Sequence, residues 1–472
     1  MAKENKTNGV SKSSDWFDAI IVNEKPTRLS GVVFILLSVV SMFAAIAYGA
    51  VDNWALIFLT ILTGLIAIFW ILDAWISKEF RFSANALQMP VLGLILIGVI
   101  QLLPLRSNTP PDGALGIPVS AALSLDPYLT RLAVILLIVY FVFFAAALVY
   151  INNQKRLRRI VLTIIIFSAA MAFFGILQRL ANLESIYGLR PSPQAIPFAS
   201  FVNQHHFAAF MEMTIGLTLG LLFGKATNKD KNLLLIIATI LMGIAVVLTG
   251  SRGGFLSLLG VLGFVIAANF LQRRNEEKTS GAASNYRRNF ALIGGGIALL
   301  LILFGSAVLL GGDESLLRGT GLQNTQADIS NGRAHFWQIA GRIIVDNPVI
   351  GVGLNAFGNA FPHYDTWNGT YRIEQAHNDY LQILADAGIP GFLAIAAFIF
   401  LLFCQSLKII GKASDRFRRS SAIGALAGCF GILLHSFFDF PLRTPSNAFF
   451  FLLLTVIATA SISYPKLYKK EK

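Results

Sequence analysis

Apolar runs of about 20 residues recur from residue 29 to residue 465, and this repetition constrains the fold more than any other feature of the chain. A helix of that length spans the hydrocarbon core of a bilayer. Lipid offers the backbone no hydrogen-bond partners, so each run must wind into a helix that satisfies itself. Hydrophobic residues make up 55% of the 472 and charged residues 13%, about half the charged share of a soluble domain. The expected fold is an all-α integral membrane protein with about 12 transmembrane helices. They are placed at 29–50, 54–77, 85–104, 129–151, 160–180, 205–224, 233–250, 254–271, 290–311, 390–410, 421–438 and 446–465. An even number of crossings returns both termini to one side.

No stretch is long enough for an independent soluble domain. The layout expected is a tail at 1–28, nine spans over 29–311, a loop of 78 residues at 312–389, three spans over 390–465 and a tail at 466–472. The first run follows Lys3, Lys6, Lys12, Lys25 and Arg28 with no small-residue cleavage site after it, so it reads as a retained anchor rather than a signal peptide. Within the long loop, Ser330 or Asn331 is placed to cap a helix that ends before Asn347-Pro348. A second helix runs from His377 to Asp386 and is punctuated by Gly388 and Pro390.

A formal charge of +13 would suggest nucleic acid as the partner of a soluble chain. In a membrane protein charge is first sorted by side, and no nucleic-acid partner is expected. Basic residues crowd the tails and the connections at 78–84, 152–159, 225–232, 272–289 and 408–419, which assigns these to the cytoplasm. All sixteen lysines fall in that set. The ten remaining basic residues, Arg106, Arg131, Arg179, Arg190, Arg252, Arg318, Arg333, Arg342, Arg372 and Arg443, are arginines at or near the outer face. They either pair with local acids such as Asp313, Asp328 and Asp346, or some of them form a receptor for phosphate oxygens, which the planar guanidinium grips in two places.

Polar residues at the membrane edge gather at the outer ends of spans. Asn203, Gln204, His205 and His206 open the sixth span, with Glu212 about two turns inside. Arg252 lies in a glycine-flanked turn at the start of the eighth, where a helix N-terminus favours an anion. Arg333 opens the first loop helix. His435, Asp439 and Arg443 would share one face if the eleventh helix continued that far. His377 stands between Glu374 and Asp379, and a carboxylate within a turn on either side would orient its ring as a general base. His205 and His206 point about 100° apart on a helix, so at most one faces a given site. The six histidines are scattered, Cys404 and Cys429 fall in apolar helices, and no Asp-x-Asp pair occurs. Neither zinc nor any other metal or cofactor is expected.

Several motifs together, Phe201-Val-Asn203, Leu248-Thr-Gly-Ser-Arg252-Gly-Gly254, Gly332-Arg333 with Trp337, Asn347-Pro-Val-Ile-Gly351-Val-Gly353-Leu-Asn355-Ala-Phe357 and Ala376-His377-Asn378-Asp-Tyr380-Leu381, resemble the O-antigen ligase and O-antigen polymerase superfamily over roughly residues 200–400. The resemblance implies a GT-C-like membrane glycosyltransferase of the bacterial inner membrane, with its site at the periplasmic face and both termini cytoplasmic. It implies an undecaprenyl-diphosphate-linked glycan as donor, a glycan or lipid A core as acceptor, surrounding membrane lipids and no metal. By motif position, Arg252 and Arg333 take the diphosphate and His377 is the base. Asn203, His205, His206, Asn378, His435, Asp439, Arg443 and Arg190 are the further substrate-binding candidates. Ligase and polymerase are not separated by the sequence. A transferase to protein and a transporter of lipid-linked sugars stay open, the latter disfavoured by the absence of an internal repeat.

Overall fold

The computed structural model describes residues 27–106, 121–181, 185–192, 195–280, 332–367 and 373–460. Over these the chain is helical, apart from short 3-10 turns and a two-stranded antiparallel ribbon pairing Ser185–Ile186 with Arg190–Pro191. We number the helices α1 (Arg28–Ile46), α2 (Asn53–Ser77), α3 (Gln88–Gln101), α4 (Pro127–Tyr150), α5 (Gln154–Leu180), α6 (Gln204–Phe223), α7 (Lys229–Leu248), α8 (Arg252–Ser280), α9 (Arg333–Asp346), α10 (Phe357–Tyr364), α11 (Asp379–Lys412), α12 (Arg416–His435) and α13 (Pro445–Thr459).

Nine of these helices are long and apolar enough to cross a membrane, and α3 and α13 are shorter apolar helices. The protein is a multi-pass, all-α membrane protein. The span expected at 290–311 lies outside the described residues, as do Ser330 and Asn331. The residue that begins α9 is preceded by Gly332, at φ 80°, with no side-chain cap.

The centre of the bundle is the antiparallel pair α6 and α12. Gly216, Gly220 and Gly224 descend one helix while Gly428, Gly424 and Ser420 ascend the other. A Cβ on Gly220 would lie 2.4 Å from the Gly424 Cα, and one on Gly428 would lie 2.3 Å from the Met213 carbonyl oxygen. Between helices already in lipid there is little hydrophobic drive, so close backbone approach across small residues supplies the attraction. The start of α12 is tied down by Asp415, which accepts from the Arg418 amide at 2.7 Å. Arg418 is buried and donates to the carbonyls of Ile457 at 2.8 Å and Ala460 at 2.7 Å, neutralising the C-terminal end of α13.

Helix α11 joins the expected loop helix to the expected span. Gly388 and Pro390 mark a kink rather than a stop, with Gly388 at φ 64°, ψ −166°. A Cβ there would lie 2.6 Å from the Val349 carbonyl oxygen, because the turn at 347–353 packs into the break. Val352 and Gly353 donate their amides to Ala385 and Asp386 at 2.9 and 3.0 Å. Gln101 of α3 donates to the Ile350 and Asp386 carbonyls at 2.7 and 2.8 Å and accepts from the Leu354 amide at 2.9 Å. The broken helix thus has its backbone groups satisfied by side chain and turn, as non-helical backbone at this depth requires.

Candidate active site

The segment 376–379 is laced to the loop that follows α12. Asn378 caps α11 by accepting from the Tyr380 and Leu381 amides at 3.0 and 3.1 Å, and its amide donates to the Phe437 carbonyl at 3.0 Å. The Asp379 amide donates to Ser436 at 2.9 Å, while the Asp379 carboxylate accepts from the Ser436 hydroxyl at 2.8 Å and the Leu442 amide at 3.2 Å. The ends of α11 and α12 are therefore fixed relative to one another. His377 sits at the junction with φ 51°, a left-handed conformation that a non-glycine residue holds only when its surroundings impose it.

The carboxylate on His377 is neither Glu374 nor Asp379 but Asp439, whose Oδ1 lies 3.1 Å from His377 Nδ1. Asp379 is turned away into the loop contacts just described. The other oxygen of Asp439 lies 3.6 Å from the Arg333 guanidinium. Burial alone would raise the Asp439 carboxyl, whose side chain is 2% exposed, but the His377 hydrogen bond and the fields of His205, His206 and His377 outweigh it. The group is held well below the usual carboxylate range and is ionised. An ionised Asp439 requires the proton of His377 on Nδ1, which leaves the Nε2 lone pair as a base. Phe336 and Phe440 flank the ring at 5.9 and 4.9 Å between centroids, and the side chain remains 31% exposed.

Beneath this dyad lies a second carboxylate–imidazole pair. Glu212 of α6 and His435 at the end of α12 meet at 3.1 Å, and both are fully buried. The first residues after Arg252 rest on them. A Cβ on Gly253 would lie 3.0 Å from His435 Nε2, and one on Gly254 would lie 3.1 Å from the Glu212 carboxylate. The glycines after Arg252 thus sit close against this pair, and a Cβ at either would press on it. Ser251 caps the turn by accepting from the Gly254 amide at 3.1 Å. Because the Asp439 amide donates to the His435 carbonyl at 3.1 Å, the same pair underlies both the Arg252 turn and Asp439.

The remaining candidates divide. Helix α12 stops at His435, so His435, Asp439 and Arg443 do not share a face, and each turns to a different partner. Arg443 bonds to Asn355 and Asp386, tying the loop after α12 to the turn at the α11 kink. Asn203 caps α6 by accepting from the His205 amide at 2.8 Å. His206 is buried, bonds through Nδ1 to Thr444 at 2.7 Å and lies edge-on to Phe440 at 4.8 Å. His205 is only partly buried, yet its field also reaches Asp439. Arg190 is committed elsewhere, with Asp52 at 2.7 Å and the Tyr48 ring 5.2 Å from its guanidinium. Asp386, Asn355, Phe336, Phe440 and Thr444 were not foreseen from sequence. Neither was the joining of Glu212 to His435, although a carboxylate inside an apolar helix calls for a buried partner.

Residues 237–396, about a third of the chain, match the family model described as O-antigen ligase. The resemblance read from the motifs is thereby borne out over the segment that holds Arg252, Arg333, His377 and Asn378. Glycosyl transfer of the O-antigen ligase or polymerase type is the activity that this match supports. No curated protein matches the chain. Asp439, Glu212 and His435 lie outside the matched residues.

Proposed function

We propose that this protein is an inverting glycosyltransferase of the ligase type. It moves a glycan from an undecaprenyl-diphosphate donor to a hydroxyl of lipid A core at the periplasmic face of the bacterial inner membrane. The observation that carries the reading is the contact of His377 Nδ1 with the Asp439 carboxylate at 3.1 Å, which makes Nε2 the basic nitrogen. His377 removes the proton of the acceptor hydroxyl as its oxygen attacks the anomeric carbon from the side opposite the diphosphate. The bond from that carbon to the diphosphate oxygen breaks, and the proton rests on the imidazole, whose positive charge Asp439 stabilises. Arg252 and Arg333 take the charge that builds on the departing diphosphate. One displacement inverts the anomeric configuration, and the scheme draws on no metal ion.

In this reading residues 312–389 form the periplasmic loop, both termini are cytoplasmic, and Glu212 with His435 positions the Arg252 turn and Asp439 without touching substrate. The test is a transfer assay with purified protein, undecaprenyl-diphosphate glycan and two acceptors, lipid A core and a second lipid-linked repeat. Product on lipid A core that vanishes in His377→Ala is expected. A ladder of lengthening lipid-linked chains would assign a polymerase instead, and no product with either acceptor would sink the reading.

A further inference from the structure

The opposite end of the α6–α12 pair holds a second polar recess, which the transfer chemistry does not use. Helix α6 has 20 residues, which puts its two ends about 30 Å apart. At the far end, where Gly224 closes α6 and Arg416 opens α12, a cavity of about 250 Å³ is lined by Lys225, Asn269, Gln272, Arg416, Arg419 and Ser420 among others. Three of these are cations, and none of the described lining residues is acidic. Asp415 stands beside the recess, but its carboxylate caps α12 through the Arg418 amide at 2.7 Å.

The recess is more than a rim of surface charge. Asn269 and Ser420, 5% and 2% exposed, bring an amide and a hydroxyl into it from buried positions. Asn269 gives one amide hydrogen to the Val265 carbonyl at 2.8 Å, which leaves its second hydrogen for a ligand. Arg416 and Arg419 are three residues apart on α12 and so lie on one side of it. Arg419 is braced by two hydrogen bonds to the Ala413 carbonyl at 3.0 and 2.8 Å, which fixes the plane of its guanidinium. The first turn of α12 adds the positive end of its dipole. The fixed amide of Asn269, the exposed cations Lys225 and Arg416 and a position at the ends of membrane-spanning helices fit an anion with oxygens in several directions, lying at head-group depth.

We propose that this recess binds a phosphate group, carried by the head of an anionic phospholipid or free in solution, on the membrane face opposite the candidate active site. Occupancy would draw the ends of α6, α8 and α12 together around one anion. Basic residues at helix ends also set topology, so the test compares cations inside the recess with cations outside it. Purified full-length protein is stripped of lipid, and binding of phosphatidylglycerol is followed by native mass spectrometry, with phosphatidylcholine and inorganic phosphate as the other probes. Lys225→Gln with Arg416→Gln, both at exposed positions, should weaken phosphatidylglycerol binding at least tenfold, whereas Lys229→Gln with Lys231→Gln should leave it unchanged. Asn269→Asp, which puts a carboxylate in the recess, should abolish it. Displacement of the lipid by millimolar phosphate would support the site and assign the free ion as an occupant; no displacement, with phosphatidylcholine failing to bind, would support the site and assign the anionic lipid. Equal losses in the two double variants, or none in either, would overturn the proposal. Binding is read without turnover, so the outcome does not depend on the transfer reaction proposed above.

Discussion

Helices α6 and α12 have 89% and 83% of their apolar stretch buried inside the protein, while α2 has 28%. The two kinds of span are built from different residues. Helix α2 is mostly Leu, Ile, Phe, Trp and Ala, and its one carboxylate, Asp73, is buried where the Tyr150 hydroxyl donates to it at 2.8 Å. Helices α6 and α12 are broken up by glycine, serine, threonine and ionisable residues. Lipid demands apolar surface and supplies no partners, whereas a helix wrapped in protein can carry small residues for close approach and polar ones whose partners its neighbours provide. In this chain a dip in apolar character within a span therefore marks a helix enclosed by protein rather than a weak span.

The strongest test of that contrast substitutes glycine in each kind of helix. Gly220→Leu in α6 drives a side chain into the Gly424 backbone and should leave almost no monodisperse protein on size exclusion after detergent extraction, whereas Gly64→Leu in α2, with nothing within 4 Å, should extract like the wild type. Equal yields would show that the α6–α12 contact does not hold the bundle together. Next in size, His377→Ala should extract normally and lose about 10²- to 10⁴-fold in transfer rate, the usual worth of a general base; retention of more than a tenth of the rate would remove it from that role.

Glu212→Ala leaves His435 without its partner in the bundle core and should lower stability by about 3–5 kcal/mol, with the double variant Glu212→Ala, His435→Ala costing less than the sum of the singles. Additive losses in thermal unfolding would mean that the pair is not coupled. For Asp439 the folded-state pKa is depressed, so its contribution to stability is present above the ordinary carboxylate value and is lost only as pH falls below it. An ionised-carboxylate infrared band that Asp439→Asn removes should then persist undiminished from about pH 6 to about pH 3, below the ordinary aspartate value of about 3.9. Its fading by half near about pH 4 would show an ordinary carboxyl. The smallest effect is expected on the lipid side: Ile57→Leu, at a position 60% exposed to lipid, should change stability by less than about 0.5 kcal/mol.

Most of the spans were legible because apolar length is a strong signal, and the expectation of a carboxylate beside the His377 ring was met, though by Asp439 rather than Glu374 or Asp379. What the sequence did not disclose was pairing across distance. His377 lies 62 residues from Asp439, and Glu212 lies 223 from His435. No local pattern distinguishes Asp439 from the nearer Glu374 and Asp379 as the partner of the ring. Helix α12 ends about two turns earlier than the spacing of His435, Asp439 and Arg443 invites, because the chain must turn to meet segment 376–379. Arg190 looked like its fellow outer arginines until Asp52 appeared beside it.

The origin of Asp439 has a consequence for modularity. The residue that orients His377 is supplied from beyond residue 396, where the matched segment ends, and the pair underneath draws Glu212 from before residue 237, where it begins. A graft of residues 237–396 into another membrane protein would deliver His377 without its carboxylate and Arg252 without its footing. The site is not portable as a cassette; it is a property of the closed bundle, and shuffling between relatives should succeed only where the exchanged piece runs from α6 through the loop after α12.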